Sequence, residues 1–231
     1  ALLVAMLHAI LTWQGRPRGN YQLAETARYI ELNHLKIVGG YQDAYMCTFG
    51  GLNYMDFRGK QFYRETEAEL FATVEPLAGY VSRLPFLLAF TGVHHSSNRV
   101  HKPLRERWLE GDPEVRAGYE RITELARAGK KALLLEDWDS LARLMNENHA
   151  VQRQLGGSGE ANEALIAAAL AAGAPAAKLA GAGDGGTIII LWPDEDMSPL
   201  EEAMRRAGAQ GVYRLEIARG ATVESDGPVE E

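Results

Sequence analysis

The sequence predicts an α+β fold in two domains, and the order of its elements is the main reason. From residue 84 onward the predicted order is strand, helices, two strands, helix and strand, which resembles the split βαββαβ pattern with helices on one sheet face. The first 80 residues hold two helices and a hairpin, too little sheet to close a core alone. We therefore place one domain at residues 1–82 and a second at residues 83–231.

The first domain opens with an apolar helix whose residues Leu3, Leu7 and Leu11 share one stripe. No capping residue or initiator Met precedes Ala1, so the terminus was either trimmed or cut within or just before this helix, and we favour the cut. A second helix is predicted over residues 22–34, with Asn20 as its cap. Two strands, at residues 52–57 and 61–66, follow around the turn RGK.

The second domain begins with the apolar stretch 84–90, which suits a buried strand, followed by a polar loop at residues 91–102. Asp112 is placed to cap a helix that Pro113 opens. A further helix is predicted over residues 139–155. Within it, the run MNENH puts Asn148 on the apolar face, where a hydrogen-bonded core amide is the expected role.

The rest of the second domain alternates between helix and strand. An alanine-rich helix is predicted over residues 161–173, and the β-branched run 187–191 suits another buried strand. A helix then starts near Ser198 and ends before Gly208. Residues 212–218 form the last predicted strand.

A glycine-rich loop joins the alanine-rich helix to its following strand, in the stretch KLAGAGDGGTIIILW at residues 178–192. Such a loop lets backbone amides close on a phosphate or a substrate oxygen. Asp184 lies in its middle and would repel a phosphate by ~1 kcal/mol or more where water is scarce. We expect its side chain to turn outward, or the site to be weakened. The glycines are Gly181, Gly183, Gly185 and Gly186.

Composition excludes several classes of function. The formal net charge of −7, with no basic stripe, argues against a nucleic-acid partner. No apolar run approaches the ~20 residues that span a bilayer, so no membrane partner is expected. Cys47 is the only cysteine in the sequence, which fits a reducing, cytoplasmic location. A monomer or a homodimer is expected.

Three stretches, in order and at matching spacing, resemble the GHMP kinase superfamily of galactokinase, homoserine kinase, mevalonate kinase and phosphomevalonate kinase. KLAGAGDGGTIII is similar to the family's third motif, and FTGVHHSSNRV to the opening of its C-terminal domain. GGYQDAYMCTFGGLNYMDF resembles the segment with the catalytic aspartate, closest to the sugar-kinase branch of heptose-phosphate, fucose and glucuronic acid kinases. The resemblance implies a ribosomal-S5-like N-terminal half and a ferredoxin-like C-terminal domain.

The opening helix resembles the one directly behind the family's nucleotide loop, Pro-x-x-x-Gly-Leu-Gly-Ser-Ser-Ala. The resemblance implies that the chain begins after that loop, so the N-terminal half is expected to be incomplete. We therefore predict that this chain alone binds ATP poorly and has little activity.

The resemblance also implies an activity, the transfer of a phosphoryl group from ATP, with Mg²⁺, to a hydroxyl of a small sugar or sugar phosphate. Asp43 occupies the catalytic position and would accept or polarise the hydroxyl proton. Glu31 falls where relatives direct a carboxylate toward Mg²⁺. The four loop glycines would act at the nucleotide. Positions expected to contact substrate are Gly39, Gly40, Gln42, Thr91, Gly92, Ser96 and Ser97.

Other readings stay open for these residues. Glu31 could be a solvated residue near a helix end, and the paired glycines 39 and 40 could only permit a turn. His94 and His95 stand where several sugar kinases have serine or arginine, and their spacing does not fit zinc. For the whole chain, the alternatives are a mevalonate- or homoserine-type kinase, or a non-catalytic ligand-binding domain of the same fold.

Overall fold

A computed structural model of the chain describes residues 1–37, 39–60, 69–93, 98–181, 183 and 185–224. The chain divides into two compact units, Ala1–Gly79 with Ile217–Glu231, and Tyr80–Glu216. The C-terminal segment was predicted in the second domain, but it clusters with the first unit.

The described residues of the first unit are mostly helical, with one antiparallel strand pair. Its described elements are α1 (Leu2–Trp13), α2 (Asn20–Tyr29), a π-helical turn (Ile30–His34), α3 (Gln42–Phe49), β1 (Asn53–Asp56) and β2 (Thr73–Pro76). Helix α2 and the π-helical turn together cover the predicted helix at 22–34. Gly19 is the N-cap, so the predicted cap Asn20 is instead the first helical residue.

The described residues of the first unit contain a strand pair that the sequence pattern did not predict. β1 pairs with β2, with Asn53 opposite Pro76 and Asp56 opposite Thr73. The predicted second strand, 61–66, lies outside the described residues. The sequence pattern missed β2 because pairing partners separated by a longer connection leave no local turn signal.

Two clusters form the core of the first unit. Val4, Leu23, Ala27 and Ala44 pack α1, α2 and α3 together, while Ala24, Tyr45 and Ala72 form the second cluster. The C-terminal segment joins this unit through backbone bonds, from Gly51 N to the Ala218 carbonyl (2.8 Å) and from Ala221 N to the Cys47 carbonyl (3.0 Å).

A glycine pair permits this attachment. Gly50 has φ +59°, and a Cβ there would meet the backbone N of Gly220 at 2.0 Å. A Cβ on Gly220 would in turn meet the Thr48 carbonyl oxygen at 2.2 Å. Because only glycine allows this close backbone approach, the segment is held tightly against the end of α3.

The second unit is built on a four-stranded antiparallel sheet with the order β4-β5-β3-β6. Its strands are β3 (Phe86–Phe90), β4 (Ala176–Leu179), β5 (Thr187–Leu191) and β6 (Gly211–Arg214). Its helices are α4 (Asn98–Glu110), α5 (Pro113–Leu134), α6 (Trp138–Gln154), α7 (Glu160–Ala171) and α8 (Ser198–Arg206). This order and topology confirm the predicted split βαββαβ pattern.

Both faces of the sheet carry helices. Ala177, Ile188 and Ile190 pack with α7 and α8, whereas Ala176 and Leu191 pack with α5 and α6. Since neighbouring residues of a strand point to opposite faces, the prediction that all helices lie on one face is wrong. The small side chains of edge strand β4 allow α6 to approach from the second side.

Local signals predicted some helix starts and missed another. The carboxylate of Asp112 accepts bonds from Glu114 N (2.9 Å) and Val115 N (3.4 Å), which confirms the predicted cap of α5. By contrast, α4 begins at Asn98, inside the predicted loop 91–102. The polar composition of that stretch, and the proline that follows it at position 103, concealed the helix.

Candidate functional site

Asp43 lies at the start of α3, and two glycines, Gly39 and Gly40, precede this helix. Gly39 is half-buried and Gly40 is exposed, and no Cβ contact at either glycine would clash. Gln42 and Asp43 form the first turn of α3, and both are exposed. A carboxylate is favourable in the first turn of a helix, where the backbone N–H groups lack partners. Asp43 therefore offers an accessible carboxylate with a defined backbone.

A buried network of charged and tyrosine side chains supports this segment. The Lys60 side chain is only 2% exposed, and its ammonium lies 2.6 Å from a carboxylate oxygen of Glu25 and 3.1 Å from one of Glu69. Tyr41 donates a hydrogen bond to Glu69 (3.1 Å), and Tyr45 donates one to Glu25. The network thus joins α2, the start of α3 and the chain after β1.

Arg28 completes the network from α2. Its side chain is 2% exposed and donates a hydrogen bond to the Gly39 carbonyl. The Tyr41 ring lies under two cations, with Arg28 Cζ 5.4 Å and Lys60 Nζ 4.8 Å from its centroid. Burial, followed by the negative charge of Glu69, raises the pKa of Tyr41 well above its usual value. Tyr41 therefore stays protonated and keeps its donor bond.

Glu31 lies apart from this network, in the π-helical turn after α2. Its side chain is half-buried and makes no hydrogen bond or ion pair within the described part of the chain. A carboxylate oxygen of this kind suits Mg²⁺, which in kinases takes one or two carboxylates together with substrate phosphates. The described residues contain no group of three or more His, Cys, Asp or Glu that could hold a metal ion.

In the second unit, two segments predicted to form part of the site lie together. Thr91 N donates to the Gly186 carbonyl (2.8 Å), and Gly186 N donates to the Val93 carbonyl (3.1 Å). Thr91 is buried, and its hydroxyl accepts a bond from Val93 N (3.2 Å). The turn after β3 and the end of the glycine loop are therefore tied by reciprocal backbone bonds.

Gly92 has its own steric requirement in that turn. Its φ is +76°, and a Cβ there would meet the Gln210 side chain at 2.2 Å. Ser96 and Ser97, with His94 and His95, lie outside the described residues, so their predicted roles stay predictions.

The glycine loop also makes close contacts with Gly157 and with Asn162 on α7. Gly183 has φ +88°, and a Cβ there would lie 1.5 Å from the Gly157 carbonyl oxygen. Gly185 is buried and has φ +121°. Asn162, fully buried on α7, donates to the Gly185 carbonyl (2.9 Å) and accepts from Gly185 N (2.6 Å). Gly181, by contrast, is exposed with open space around it, and Asp184 lies outside the described residues.

The start of the loop carries a desolvated lysine. Lys178 on β4 donates to the Leu179 carbonyl, and burial lowers its pKa to about 8.

Helix α6 contributes a buried histidine. His149 Nε2 lies 3.0 Å from the Glu163 carboxylate, and burial lowers the pKa of this histidine. Within the MNENH run, the buried polar residue is His149, while the predicted core residue, Asn148, is half-buried.

Sequence reasoning missed the residues that support both segments. Asn162 falls on the same helical face as Leu165, Ile166 and Ala169, all buried. A single amide on an otherwise apolar stripe was the available signal. The members of the Lys60 network gave no such signal, because they are spread from residue 25 to residue 69.

Among the described residues, no helix is both long and apolar enough to cross a membrane.

Comparison with known proteins finds a matching family model and related kinases. Residues 130–210 match the family model described as "GHMP kinases C terminal". The chain is 32% identical over 198 residues to glucuronokinase 1 of Arabidopsis thaliana, covering 83% of this chain and 52% of that protein. It is 27% identical over 212 residues to the D-glycero-alpha-D-manno-heptose 7-phosphate kinase of Campylobacter jejuni, covering 89% and 59%. Mevalonate kinases also match.

A solved structure shows the same fold. The L. major mevalonate kinase in complex with R-mevalonate superposes with a TM-score of 0.71 at 22% identity, over 95% of this chain and 65% of that chain. The predicted α+β kinase fold is thereby confirmed. The chain spans about half the length of the curated relatives it matches. Taken with the sheet topology and the glycine loop, these similarities show that residues 130–210 are a GHMP kinase C-terminal domain and that the chain has the GHMP kinase fold.

Proposed function

We propose that this chain is part of an ATP-dependent kinase that phosphorylates a hydroxyl group of a sugar or sugar phosphate. The observation that carries the proposal is the pair of backbone bonds that links Gly186 to Thr91 and to Val93, which joins two segments that the family resemblance assigned to substrate and nucleotide. The relatives named above as glucuronokinase and heptose-phosphate kinase support a sugar acceptor.

In the proposed reaction, the acceptor oxygen forms a bond to the γ-phosphorus of ATP while the bond from that phosphorus to the β,γ-bridging oxygen breaks. ADP leaves with that electron pair, and the hydroxyl proton passes to the Asp43 carboxylate. Phosphoryl transfer depends chiefly on positioning and charge stabilisation, so a base held on a fixed helix turn suits it. Asp43 is exposed, which leaves its carboxylate open to a substrate.

The other proposed roles follow from residue chemistry. Backbone N–H groups at Gly181 and Gly183 would lie against phosphate oxygens, as in other glycine-rich turns. The N–H groups of Gly185 and Gly186 are bonded to Asn162 and to the Val93 carbonyl, so these two glycines would act by holding the loop in shape. Mg²⁺, when bound, would neutralise charge on the phosphates, and Glu31 would hold it. Gly39, Gly40 and Gln42 of the first unit would contact the acceptor, and the role of Gly92 at the substrate stays a prediction for the second unit.

An Asp43→Asn variant tests the proposal in the full-length gene product. A coupled assay of ADP release, run against sugars, sugar phosphates and mevalonate, should find turnover with a sugar acceptor. The variant should lower kcat by about 10²–10⁴-fold with little change in KM, because the amide cannot accept the proton. Asp139→Asn, another exposed aspartate in the first turn of a helix (α6), is the matched control and should leave kcat within about twofold.

The outcomes separate the alternatives. Turnover of mevalonate alone would favour the mevalonate-type kinase, and no turnover of any acceptor would favour a ligand-binding domain. If Asp43→Asn retained the wild-type kcat, Asp43 would not be the base.

A further inference from the structure

The amide of Asn162 makes a matched pair of hydrogen bonds with one residue of the glycine loop. Its Nδ2 donates to the Gly185 carbonyl at 2.9 Å, and its Oδ1 accepts from Gly185 N at 2.6 Å. Asn162 is fully buried, so neither atom has water as an alternative partner. Losing either bond would leave a buried polar group unpaired, which makes this contact specific for an amide.

The helix beneath this amide is well anchored. Leu165, Ile166 and Ala169 of α7 are buried in the main core cluster of the second unit, against strands β3, β4 and β5. Asn162 lies in the first turn of the same helix. The Asn162 amide therefore attaches the glycine loop to a helix that the core holds in place.

The loop itself would otherwise be loose. Glycine reaches many backbone conformations, and Gly185 adopts φ +121°, which other residues rarely reach. The neighbouring Gly186 is bonded to the turn after β3, and Gly183 packs against the Gly157 carbonyl. The Asn162 pair fixes the residue between them, so one loop conformation is selected over many.

We propose that Asn162 is a positioning residue that pre-orients the glycine loop for phosphate binding. This inference depends on the proposed kinase function for its effect on catalysis. Asn162 does not touch the nucleotide in this proposal; it acts through Gly185. Without it, the loop would have to be ordered at the moment of binding, and that cost would appear as weaker nucleotide affinity.

The chain contains a matched control for this residue. Asn146, on α6, makes the same kind of pair, donating to the Pro175 carbonyl (3.0 Å) and accepting from Ala177 N (3.3 Å). It supports the start of β4 and not the glycine loop. Asn146→Ala therefore removes two amide-to-backbone bonds from the same unit without altering the Gly185 contact.

The test compares Asn162→Ala, Asn162→Asp and Asn146→Ala in the full-length protein. Asn162→Asp keeps side-chain volume and the acceptor but loses the donor, so it isolates the bond to the Gly185 carbonyl if the alanine variant folds poorly. We expect both Asn162 variants to raise KM for MgATP about tenfold with kcat changed less than threefold. In Asn162→Ala, Gly185 amide exchange should be at least tenfold faster. Asn146→Ala should accelerate exchange at Ala177 instead, with KM within twofold of wild type.

Two kinetic results and one exchange result would overturn the inference. The first kinetic result is a KM for MgATP within twofold of wild type in both Asn162 variants; the second is an equal rise in KM in Asn146→Ala. If the wild-type protein has no kinase turnover, the proposed function fails. The positioning of Gly185 by Asn162 is still tested by Gly185 amide exchange, because that measurement needs no activity. Unchanged Gly185 exchange in Asn162→Ala would show that Asn162 does not hold the loop.

Discussion

The Asp43 segment and the glycine loop are both candidate parts of a site, but the protein supports them by different means. Beneath the Asp43 segment, Lys60 joins two buried carboxylates, and Arg28 holds the Gly39 carbonyl. Beneath the glycine loop, the support is a neutral amide and close steric contact between backbones. The comparison teaches that a segment bearing a carboxylate is held by paired charges, whereas a loop suited to phosphate is held without them.

The physical reason lies in how each support responds to its environment. Buried ion pairs are costly to desolvate and are strongly coupled, so the loss of one partner leaves an uncompensated charge. A neutral amide adds no net charge at a phosphate site, and its hydrogen bonds depend little on salt. The charged network should therefore be the more fragile of the two supports toward a single substitution.

The largest expected effect comes from breaking the charged network with Lys60→Met. This change leaves Glu25 and Glu69 buried without their shared cation, so we expect the free energy of unfolding to fall by about 3–5 kcal/mol. Urea denaturation measures it. Arg205→Met, which removes an exposed pair with Glu202, serves as control and should change stability by less than about 0.5 kcal/mol. A Lys60→Met protein within 1 kcal/mol of wild type would show that the network does not support the segment.

A smaller effect is expected from adding one methyl group to the glycine loop. In Gly183→Ala the new Cβ would lie 1.5 Å from the Gly157 carbonyl oxygen at φ +88°, so the loop must shift, at a cost of about 2–4 kcal/mol. Gly181→Ala meets open space and should be tolerated within about 0.5 kcal/mol. Thermal unfolding of the two variants compares them directly, and equal melting temperatures would contradict the packing argument.

The smallest expected effect on stability concerns Lys178, the buried lysine at the start of the glycine loop. It tests whether a buried charge is unfavourable in the region that is otherwise held without ion pairs. The pKa of Lys178 is about 8 in the folded protein against 10.5 normally, so the unfolded state binds the proton more tightly. Stability should therefore rise as pH increases from about 8 to 10.5, and the full penalty applies below pH 8.

Replacing Lys178 with Met should remove both the stability penalty below pH 8 and the rise in stability between pH 8 and 10.5. Lys178→Met is expected to be about 1–3 kcal/mol more stable than wild type at pH 7, since one pKa unit corresponds to about 1.4 kcal/mol. The stability difference between the two proteins should narrow between pH 8 and 10.5. Urea denaturation across that pH range measures it, and a difference that stays constant with pH would mean that burial of the ammonium carries no penalty.

The sequence by itself determined the features that depend on neighbouring residues. Helical periodicity, the Asp112 cap with Pro113, the β-branched strand at 187–191 and the element order that gives the split βαββαβ sheet all follow from local preference and side-chain alternation. The glycine loop and the GGYQD segment were also visible locally, since a motif is a run of adjacent residues.

Only the tertiary structure decided which distant residues meet. Three contacts join residues up to about 170 positions apart. They are the pairing of β1 with Thr73–Pro76, the attachment of the C-terminal segment at Gly50 and Gly220, and the bond from Asn162 to Gly185. Local preference carries no information about such contacts, because their energy comes from packing and hydrogen bonds that exist only when the chain is folded. The candidate chemical groups could thus be named from the sequence, but the supports that fix them could not.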